Sequence, residues 1–133
     1  MNDTNAVSCE GGCACGDVRF RANNRPRRTG LCHCMTCRKA HGATFNPFAV
    51  YLRDEFQFSG EVRSWESSPG YLRWFCPRCG SRVFDTSKDE IEISMGSLDE
   101  INAFTPEYEV WVIRREAWQP PLAIPQFAQD RQP

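Results

Sequence analysis

The sequence predicts a mainly β protein with short helices, folded as one domain over residues 1–133. A chain of 133 residues has the usual size of a single hydrophobic core, and no linker or repeat divides it. Its nine glycines and nine prolines indicate many turns. Between these turns lie short segments in which apolar and polar residues alternate, a period that is typical of half-buried strands.

Strand patterns occupy residues 18–22, 45–52, 61–65, 71–75 and 91–95. The Ser-Ser-Pro-Gly stretch at 67–70 lies between two of them and predicts a hairpin turn. Pro47 has no amide hydrogen for a ladder hydrogen bond, so it favours an edge strand or a bulge in its segment.

Helix is predicted in two short segments only. One follows Cys34 and runs through Ala40, and the other begins at Ser97, whose hydroxyl would cap a turn over residues 98–102. From about Gln119 the chain is extended and rich in proline. We expect this tail to pack on the domain through its apolar side chains, which are Leu122, Ile124 and Phe127.

Charge and hydropathy argue against two classes of partner. With 16 basic and 17 acidic side chains the net charge is −1, so no overall field favours a nucleic acid. Five arginines in 19–28 and eight acids in 85–109 indicate two oppositely charged solvated faces, with a basic patch for an anion as the alternative. No segment approaches the ~18 apolar residues of a membrane span, and the first residues lack the pattern of a secretory signal. We therefore expect a cytoplasmic location.

Seven of the eight cysteines fall into three short clusters. The clusters are Cys13 with Cys15, then Cys32 with Cys34 and Cys37, and finally Cys76 with Cys79. Cysteines at this density form either disulfides or metal sites, and a reducing compartment favours metal binding by thiolates.

The spacing of these cysteines suggests two different zinc sites. Cys76 and Cys79 form a knuckle that supplies two ligands, and Cys13 and Cys15 supply two more if the chain bends there. In a straight strand their sulfurs would lie about 7 Å apart, too far for one ion. The middle cluster offers three thiolates, and three protein ligands with an open fourth position are typical of a catalytic zinc. A fourth ligand from Cys9, His33 or His41 would instead close that site.

The same residues carry a family resemblance. The blocks GGCACGDVRF from Gly11, CHCMTCRKAHGATF from Cys32, SSPGYLRWFCPRCGSRVF from Ser67 and GSLDE from Gly96 are similar to those of the glutathione-dependent formaldehyde-activating family, which includes centromere protein V-like members. The resemblance implies a β-tent (Mss-four-like) fold of several small bent sheets, stabilised by zinc. It implies a four-cysteine zinc at Cys13, Cys15, Cys76 and Cys79 and a second zinc at Cys32, Cys34 and Cys37.

The resemblance also implies an activity. The family's reaction joins formaldehyde to the thiol of glutathione, giving S-(hydroxymethyl)glutathione, and is classed with the carbon-sulfur lyases. Cys32, Cys34 and Cys37 would be the catalytic residues, and the adjoining Arg38 and Lys39 would bind the carboxylates of glutathione.

One position departs from the family pattern, and the sequence leaves a second function open. Glu109 stands where the family commonly has a histidine. The alternative function is a non-catalytic protein-binding module on the same scaffold. The true thiol, the carbonyl substrate and the oligomeric state stay open at this point.

Overall fold

A computed structural model describes residues 8–131, and these form ten β-strands and one α-helix. The strands are β1 (Ser8–Gly12), β2 (Arg19–Asn23), β3 (Arg28–Cys32), β4 (Asn46–Leu52), β5 (Phe56–Ser59), β6 (Arg63–Ser68), β7 (Tyr71–Phe75), β8 (Arg82–Thr86), β9 (Glu90–Ser94) and β10 (Glu109–Val110), and the helix is α1 (Met35–His41). Short 3₁₀ helices occupy Arg53–Glu55, Met95–Ser97 and Val112–Arg114.

The strands form two sheets. Strands β1, β2 and β5 make a three-stranded antiparallel sheet, and the other seven follow the order β10-β3-β4-β9-β8-β7-β6. The β10–β3 pair is parallel and the other pairs of the larger sheet are antiparallel. The register shifts on both sides of β7, and such bulges bend and twist a sheet. The fold class predicted from the sequence is therefore confirmed.

All five strand segments predicted from alternation are strands, with boundaries that differ by at most three residues. The turn between β6 and β7 is also confirmed, since Pro69 and Gly70 connect the two strands and Gly70 has a φ of 78°. Five strands lacked a clear sequence signal. Strand β3 shows why: it lies between β4 and β10 and is buried from Thr29 to Cys32, so its side chains do not alternate in polarity.

The expectation for Pro47 is wrong in its placement, because β4 is a central strand. Pro47 lies opposite Leu31, whose amide donates to the carbonyl of Tyr108 on the far side of β3. The pairing of β4 with β9 begins only at Phe48. Pro47 is thus tolerated because no ladder hydrogen bond is required from its nitrogen.

Of the two predicted helices, the first is confirmed and the second is wrong. Helix α1 starts after Cys34, whose sulfur accepts a hydrogen bond from the Cys37 amide, and ends at Gly42 in the left-handed conformation. Residues 98–102 do not form a helix. Instead Leu98 bridges to Gly11 of β1, and the Ser97 hydroxyl donates to the carbonyl of Arg82 rather than capping a turn.

The basic and acidic segments of the sequence meet in the fold. Four of the five arginines in 19–28 pair with acids: Arg19 with Asp99, Arg21 with Glu10, Arg27 with Glu55 and Arg28 with Glu90. Two of these acids, Asp99 and Glu90, belong to the acidic segment at 85–109. Most of the basic segment is therefore engaged in ion pairs.

The buried side chains form two hydrophobic clusters. The first lies between the two sheets and is built around Phe20, Tyr51, Phe84 and Ile93. The second lies against β3 and β10 and contains Phe48, Val50, Tyr108 and Val110. Each hydrophobic cluster includes cysteines of a different set: Cys13 and Cys76 in the first, and Cys32 and Cys37 in the second.

A buried carboxylate holds the C-terminal tail on the larger sheet. Glu109 is 1% exposed, and its Oε1 lies 2.7 Å from Nε2 of the fully buried His33. Its Oε2 accepts hydrogen bonds from the Leu122 amide at 2.8 Å and from the Gln126 side chain at 2.9 Å. Burial alone would raise the pKa of Glu109, but the hydrogen bonds from Gln126, Leu122 and His33 outweigh it and lower the pKa to about 2.

The tail also pairs with β10 through its backbone. The Glu109 amide donates to the Pro125 carbonyl at 3.0 Å, and the Phe127 amide donates to the Glu109 carbonyl at 2.9 Å. Phe127 packs against Tyr108, with ring centroids 6.2 Å apart. Of the three apolar residues expected to bury the tail, Ile124 and Phe127 are half-buried, whereas Leu122 is 46% exposed.

We expect Glu109→Gln to lower the free energy of unfolding by about 2–4 kcal/mol, because a neutral amide loses charge-assisted hydrogen bonds in a buried network. Urea unfolding followed by circular dichroism measures this change. Glu61→Gln is the matched control, since Glu61 is 71% exposed and lies 3.5 Å from Arg63. It should change stability by less than about 0.5 kcal/mol. Equal effects of the two substitutions would show that the buried network adds nothing beyond a surface ion pair.

Candidate functional site

Four cysteine sulfurs converge at one end of the first hydrophobic cluster. Cys13 and Cys15 follow β1, and Cys76 and Cys79 lie between β7 and β8. The Cys13 and Cys15 sulfurs are 3.5 Å apart, the Cys15 and Cys76 sulfurs are 3.7 Å apart, and all four lie within 4.8 Å of one another. Tetrahedral ligation with Zn–S bonds of about 2.3 Å requires sulfurs about 3.8 Å apart. The four-cysteine cluster can therefore hold one metal ion.

A glycine turn closes each half of this cluster. The Gly16 amide donates to the Cys13 carbonyl and the Gly80 amide donates to the Cys76 carbonyl. Gly16 has a φ of 86° and Gly80 a φ of 79°, values that strain other residues. The bend required of the Cys13–Cys15 segment is thus present.

Nearby donors favour thiolates in the four-cysteine cluster. The Val18 amide donates to the Cys13 sulfur at 3.2 Å. The Ser81 hydroxyl accepts from the Ala14 amide at 3.0 Å and lies 3.2 Å from the Cys79 sulfur, to which it can donate. Hydrogen bonds from the side chain and backbone of Ser81 lower the pKa of Cys79 to about 5. Thiolates are the form that binds metal.

The second cluster is built from a short stretch of chain. Cys32 ends β3, Cys34 is the N-cap of α1 and Cys37 lies within that helix. Their sulfurs also lie within 4.8 Å of one another. Hydrogen bonds from the Cys32 and Cys37 thiols and the positive charge of Arg73 lower the pKa of Cys34. The three-cysteine cluster can therefore also hold a metal ion.

Among residues 8–131 no histidine, carboxylate or fourth cysteine joins this three-cysteine cluster. The three candidates for a fourth ligand lie elsewhere. The Cys9 sulfur is 3.4 Å from the hydroxyl of Tyr51, and His33 is bound to Glu109. His41 lines a separate cavity.

Arg73 is the cation placed beside the three-cysteine cluster. It is 7% exposed, and its Nη1 lies 3.9 Å from the Cys37 sulfur and 3.5 Å from the Asp85 carboxylate. Its Nε donates to the Ser67 hydroxyl at 2.9 Å. Asp85 also binds Arg82, which follows the Cys76–Cys79 knuckle. A buried charge network thus runs from Cys37 to the segment that follows the Cys76–Cys79 knuckle.

A cavity of about 420 Å³ opens beside the three-cysteine cluster. Its wall includes the three cysteines, the aromatic residues Phe48, Tyr71, Tyr108 and Trp111, and the charged residues Arg28, Arg73, Glu92, Asp130 and Arg131. The tail completes this wall, because the Trp111 indole donates to Asp130 at 2.9 Å and the Arg131 guanidinium lies 5.6 Å from the centre of the Tyr108 ring.

Of the two acids in this wall, Glu92 is the one whose pKa is shifted. Burial and the negative charge of Asp85 raise its pKa to about 7, against the lowering effect of a hydrogen bond from Tyr71. Glu92 therefore carries a proton for much of the time near neutral pH.

The structure places the two predicted carboxylate-binding residues outside this cavity. Arg38 and Lys39 are not part of the cavity wall. Arg38 lies 2.7 Å from Glu116, and Lys39 is exposed. Successive residues of a helix point about 100° apart, so residues that follow Cys37 turn away from the face that Cys37 presents.

Sequence reasoning also missed Arg73 and Arg131, which the fold brings to the cavity. Arg73 lies between Tyr71 and Phe75 on one face of β7. A charged residue on an otherwise aromatic strand face indicates a buried polar site. Arg131 has no comparable signal, because the docking of the tail decides its place.

Among the helices of residues 8–131, none combines the length and the apolar character needed to cross a membrane.

Comparison with known proteins identifies the family. A family model described as glutathione-dependent formaldehyde-activating enzyme matches residues 8–114. A crystal structure of a Rhodobacter sphaeroides protein is similar at 19% identity with a TM-score of 0.57, over 71% of this chain and 91% of that chain. This likeness supports the fold. None of the curated proteins compared with the chain matches it. Because the family model spans both cysteine clusters and most of the chain, the protein belongs to the glutathione-dependent formaldehyde-activating family.

Proposed function

We propose that this protein is a zinc-dependent enzyme of the carbon-sulfur lyase class that acts on adducts of small thiols. Glutathione is the first candidate thiol and formaldehyde the first candidate aldehyde, with S-(hydroxymethyl)glutathione as their product. One observation carries the proposal: three cysteine sulfurs without a fourth ligand among the described residues face a cavity lined by arginines. Reduced thiolates persist in a reducing compartment, which supports a cytoplasmic location.

The donor sets fit two zinc ions. Cys13, Cys15, Cys76 and Cys79 would hold a structural ion, because four thiolates complete tetrahedral coordination. Cys32, Cys34 and Cys37 would hold the other. When bound there, zinc supplies an open coordination position that favours the ionised form of a thiol.

The charged residues of the cavity suit the addition of a thiol to an aldehyde. In this reaction a carbon-sulfur bond forms, the electron pair of the carbonyl π bond moves to oxygen, and that oxygen takes up a proton from an acid. The proton that the thiol gave up restores this acid. Arg73 favours negative charge beside Cys37. Glu92 holds a proton on the cavity wall and is the proposed donor to the carbonyl oxygen.

Arg131 is the proposed partner of a glutathione carboxylate. The other two arginines of the wall are already paired, Arg28 with both oxygens of Glu90 and Arg73 with Asp85. Within residues 8–131, Arg131 contacts the Tyr108 ring and takes part in none of the ion pairs. A guanidinium in this situation can bind a carboxylate with charge-assisted hydrogen bonds.

We expect Cys76→Ser to affect folding and Cys34→Ser to affect only the binding of one zinc ion. Binding of a structural zinc contributes on the order of 10 kcal/mol to folding, so Cys76→Ser should prevent stable folding. Cys34→Ser should keep a cooperative thermal transition and lose one of two zinc ions. Native mass spectrometry and circular dichroism measure both properties. A folded Cys76 variant beside an unfolded Cys34 variant would exchange the proposed roles of the two sites.

Titration calorimetry of the zinc-loaded protein tests the thiol and its contacts. Glutathione should bind, and S-methylglutathione should bind far more weakly because its sulfur cannot ionise. Arg131→Ala should weaken glutathione binding by about tenfold or more through loss of a charge-assisted hydrogen bond.

Lys39→Ala is the matched control for that titration, because Lys39 is exposed and absent from the cavity wall, and it should leave the affinity unchanged. Equal affinity for glutathione and its S-methyl form would exclude a role of the free thiol. No binding of any thiol would favour the protein-binding module instead.

NMR tests the reaction itself. It measures the rate at which free glutathione and formaldehyde exchange with their adduct, S-(hydroxymethyl)glutathione. We expect Glu92→Gln to slow the enzyme-dependent exchange by about 100-fold, a typical contribution of a general acid, while glutathione still binds. The advantage of the wild type should decline above pH of about 7, because Glu92 then loses its proton. Asp89→Asn, at an exposed position, should have no effect. An unchanged rate in Glu92→Gln would remove this residue from the mechanism.

A further inference from the structure

A second cavity, of about 610 Å³, lies at the end of the cysteine-bearing helix. It is bounded by the end of α1, the start of β4, the turn after the Cys76–Cys79 knuckle and the segment after β9. It has no wall residue in common with the cavity beside the three-cysteine cluster. A ligand in the second cavity would therefore be distinct from the proposed thiol substrate.

Three of the residues that line this second cavity have a buried side-chain nitrogen with no hydrogen-bond partner within residues 8–131. These nitrogens are Nε2 of His41, Nδ2 of Asn46 and Nη1 of Arg82. Asn46 is 3% exposed. Buried donors without partners are unfavourable, and native proteins rarely leave several of them together.

The three unpartnered nitrogen atoms can donate hydrogen bonds, so a ligand that satisfies them has to offer acceptor atoms. The remaining nitrogens of Arg82 are in use, since Nε donates to the Trp74 carbonyl and Nη2 to Asp85. Burial and the charges of Arg82 and Arg73 lower the pKa of His41 to about 4, so its ring is neutral near neutral pH and Nε2 can carry a hydrogen. All three groups can then donate to the same kind of ligand.

Charge and apolar surface limit the class of that ligand. Asp99 is the one acid of the described wall, and it is already bound to Arg19. The unpartnered donors of His41, Asn46 and Arg82, together with the positive charge of Arg82, therefore favour a ligand with a negatively charged group. The wall also contains Cys13 of the four-cysteine cluster, whose thiolates disfavour a second negative charge. Apolar side chains, namely Ala40, Ala43, Phe45, Pro47 and Leu98, cover much of the remaining wall.

We infer that this second cavity binds a short-chain aliphatic monocarboxylate. Arg82, Asn46 and His41 donate to the carboxylate oxygens, and the aliphatic chain packs against Phe45 and Leu98. A carboxylate fits because it accepts several hydrogen bonds and carries one negative charge.

NMR titration of the zinc-loaded, ¹⁵N-labelled full chain tests this site with three probes. Butyrate should bind saturably in the millimolar range or tighter, and shift the side-chain signals of Asn46 and His41. Butyramide has the same shape without the charge and should bind about tenfold more weakly. Inorganic phosphate should also bind more weakly because of its second charge.

Two variants and a control locate the bound butyrate. Asn46→Asp places a negative charge beside the carboxylate, and His41→Phe removes a donor while keeping an aromatic ring, so each should weaken butyrate about tenfold or more. Zinc content and thermal stability show whether each variant is folded. Lys39→Ala, on the exposed face of the same helix, should bind butyrate as the wild type does.

The inference is overturned by any of three results. These are the absence of saturable butyrate binding to the wild type, equal affinity for butyrate and butyramide, and unchanged butyrate affinity in a folded His41→Phe variant. Because glutathione and butyrate are proposed to occupy different cavities, failure here leaves the glutathione titration intact as a test of the thiol site.

Discussion

The convergence of four cysteine sulfurs is the constraint on which the rest of this fold depends. Cys15 and Cys76 are 61 positions apart in the chain, yet their sulfurs are 3.7 Å apart. Four thiolates at such distances repel one another unless a cation lies among them, so folding and metal binding are expected to be coupled. The cluster connects β1 of the smaller sheet to β7 and β8 of the larger one. A small domain with a modest core gains stability from such a cross-link.

This cross-link also fixes the charges at the other cluster. Arg82 lies three residues after Cys79 and binds Asp85, and Asp85 in turn binds Arg73. Arg73 then reaches the sulfur of Cys37. The structural cluster thus helps to position the cation that favours thiolates at the cavity. Loss of Asp85 would be strongly destabilising, because Arg73 would then be a buried charge without a partner.

Sequence reasoning succeeds where the signal is local. The grouping of seven cysteines into two clusters follows from their spacing, α1 follows from the segment after Cys34, and five strands follow from alternation. It fails where the outcome depends on contacts between distant segments. Helix periodicity excludes Arg38 and Lys39 from the cavity once the face of Cys37 is known, but that face is set by packing. Residues 98–102 form a bridge, bends and a turn instead of a helix, because Leu98 pairs with Gly11 of β1, which propensity does not encode.

Glu109 explains how a part of the chain outside the family match reaches the cavity. The family model ends at residue 114, whereas Leu122 and Gln126, which bind Glu109, and Asp130 and Arg131, which line the cavity, all follow it. Glu109 stands where the family resemblance suggests a histidine. Its carboxylate has two acceptor oxygens, one for His33 and one for Gln126 of the tail. The tail is thereby held along β10, and its last described residues complete the cavity wall. Asp130 and Arg131 are therefore wall residues that lie outside the matched family region.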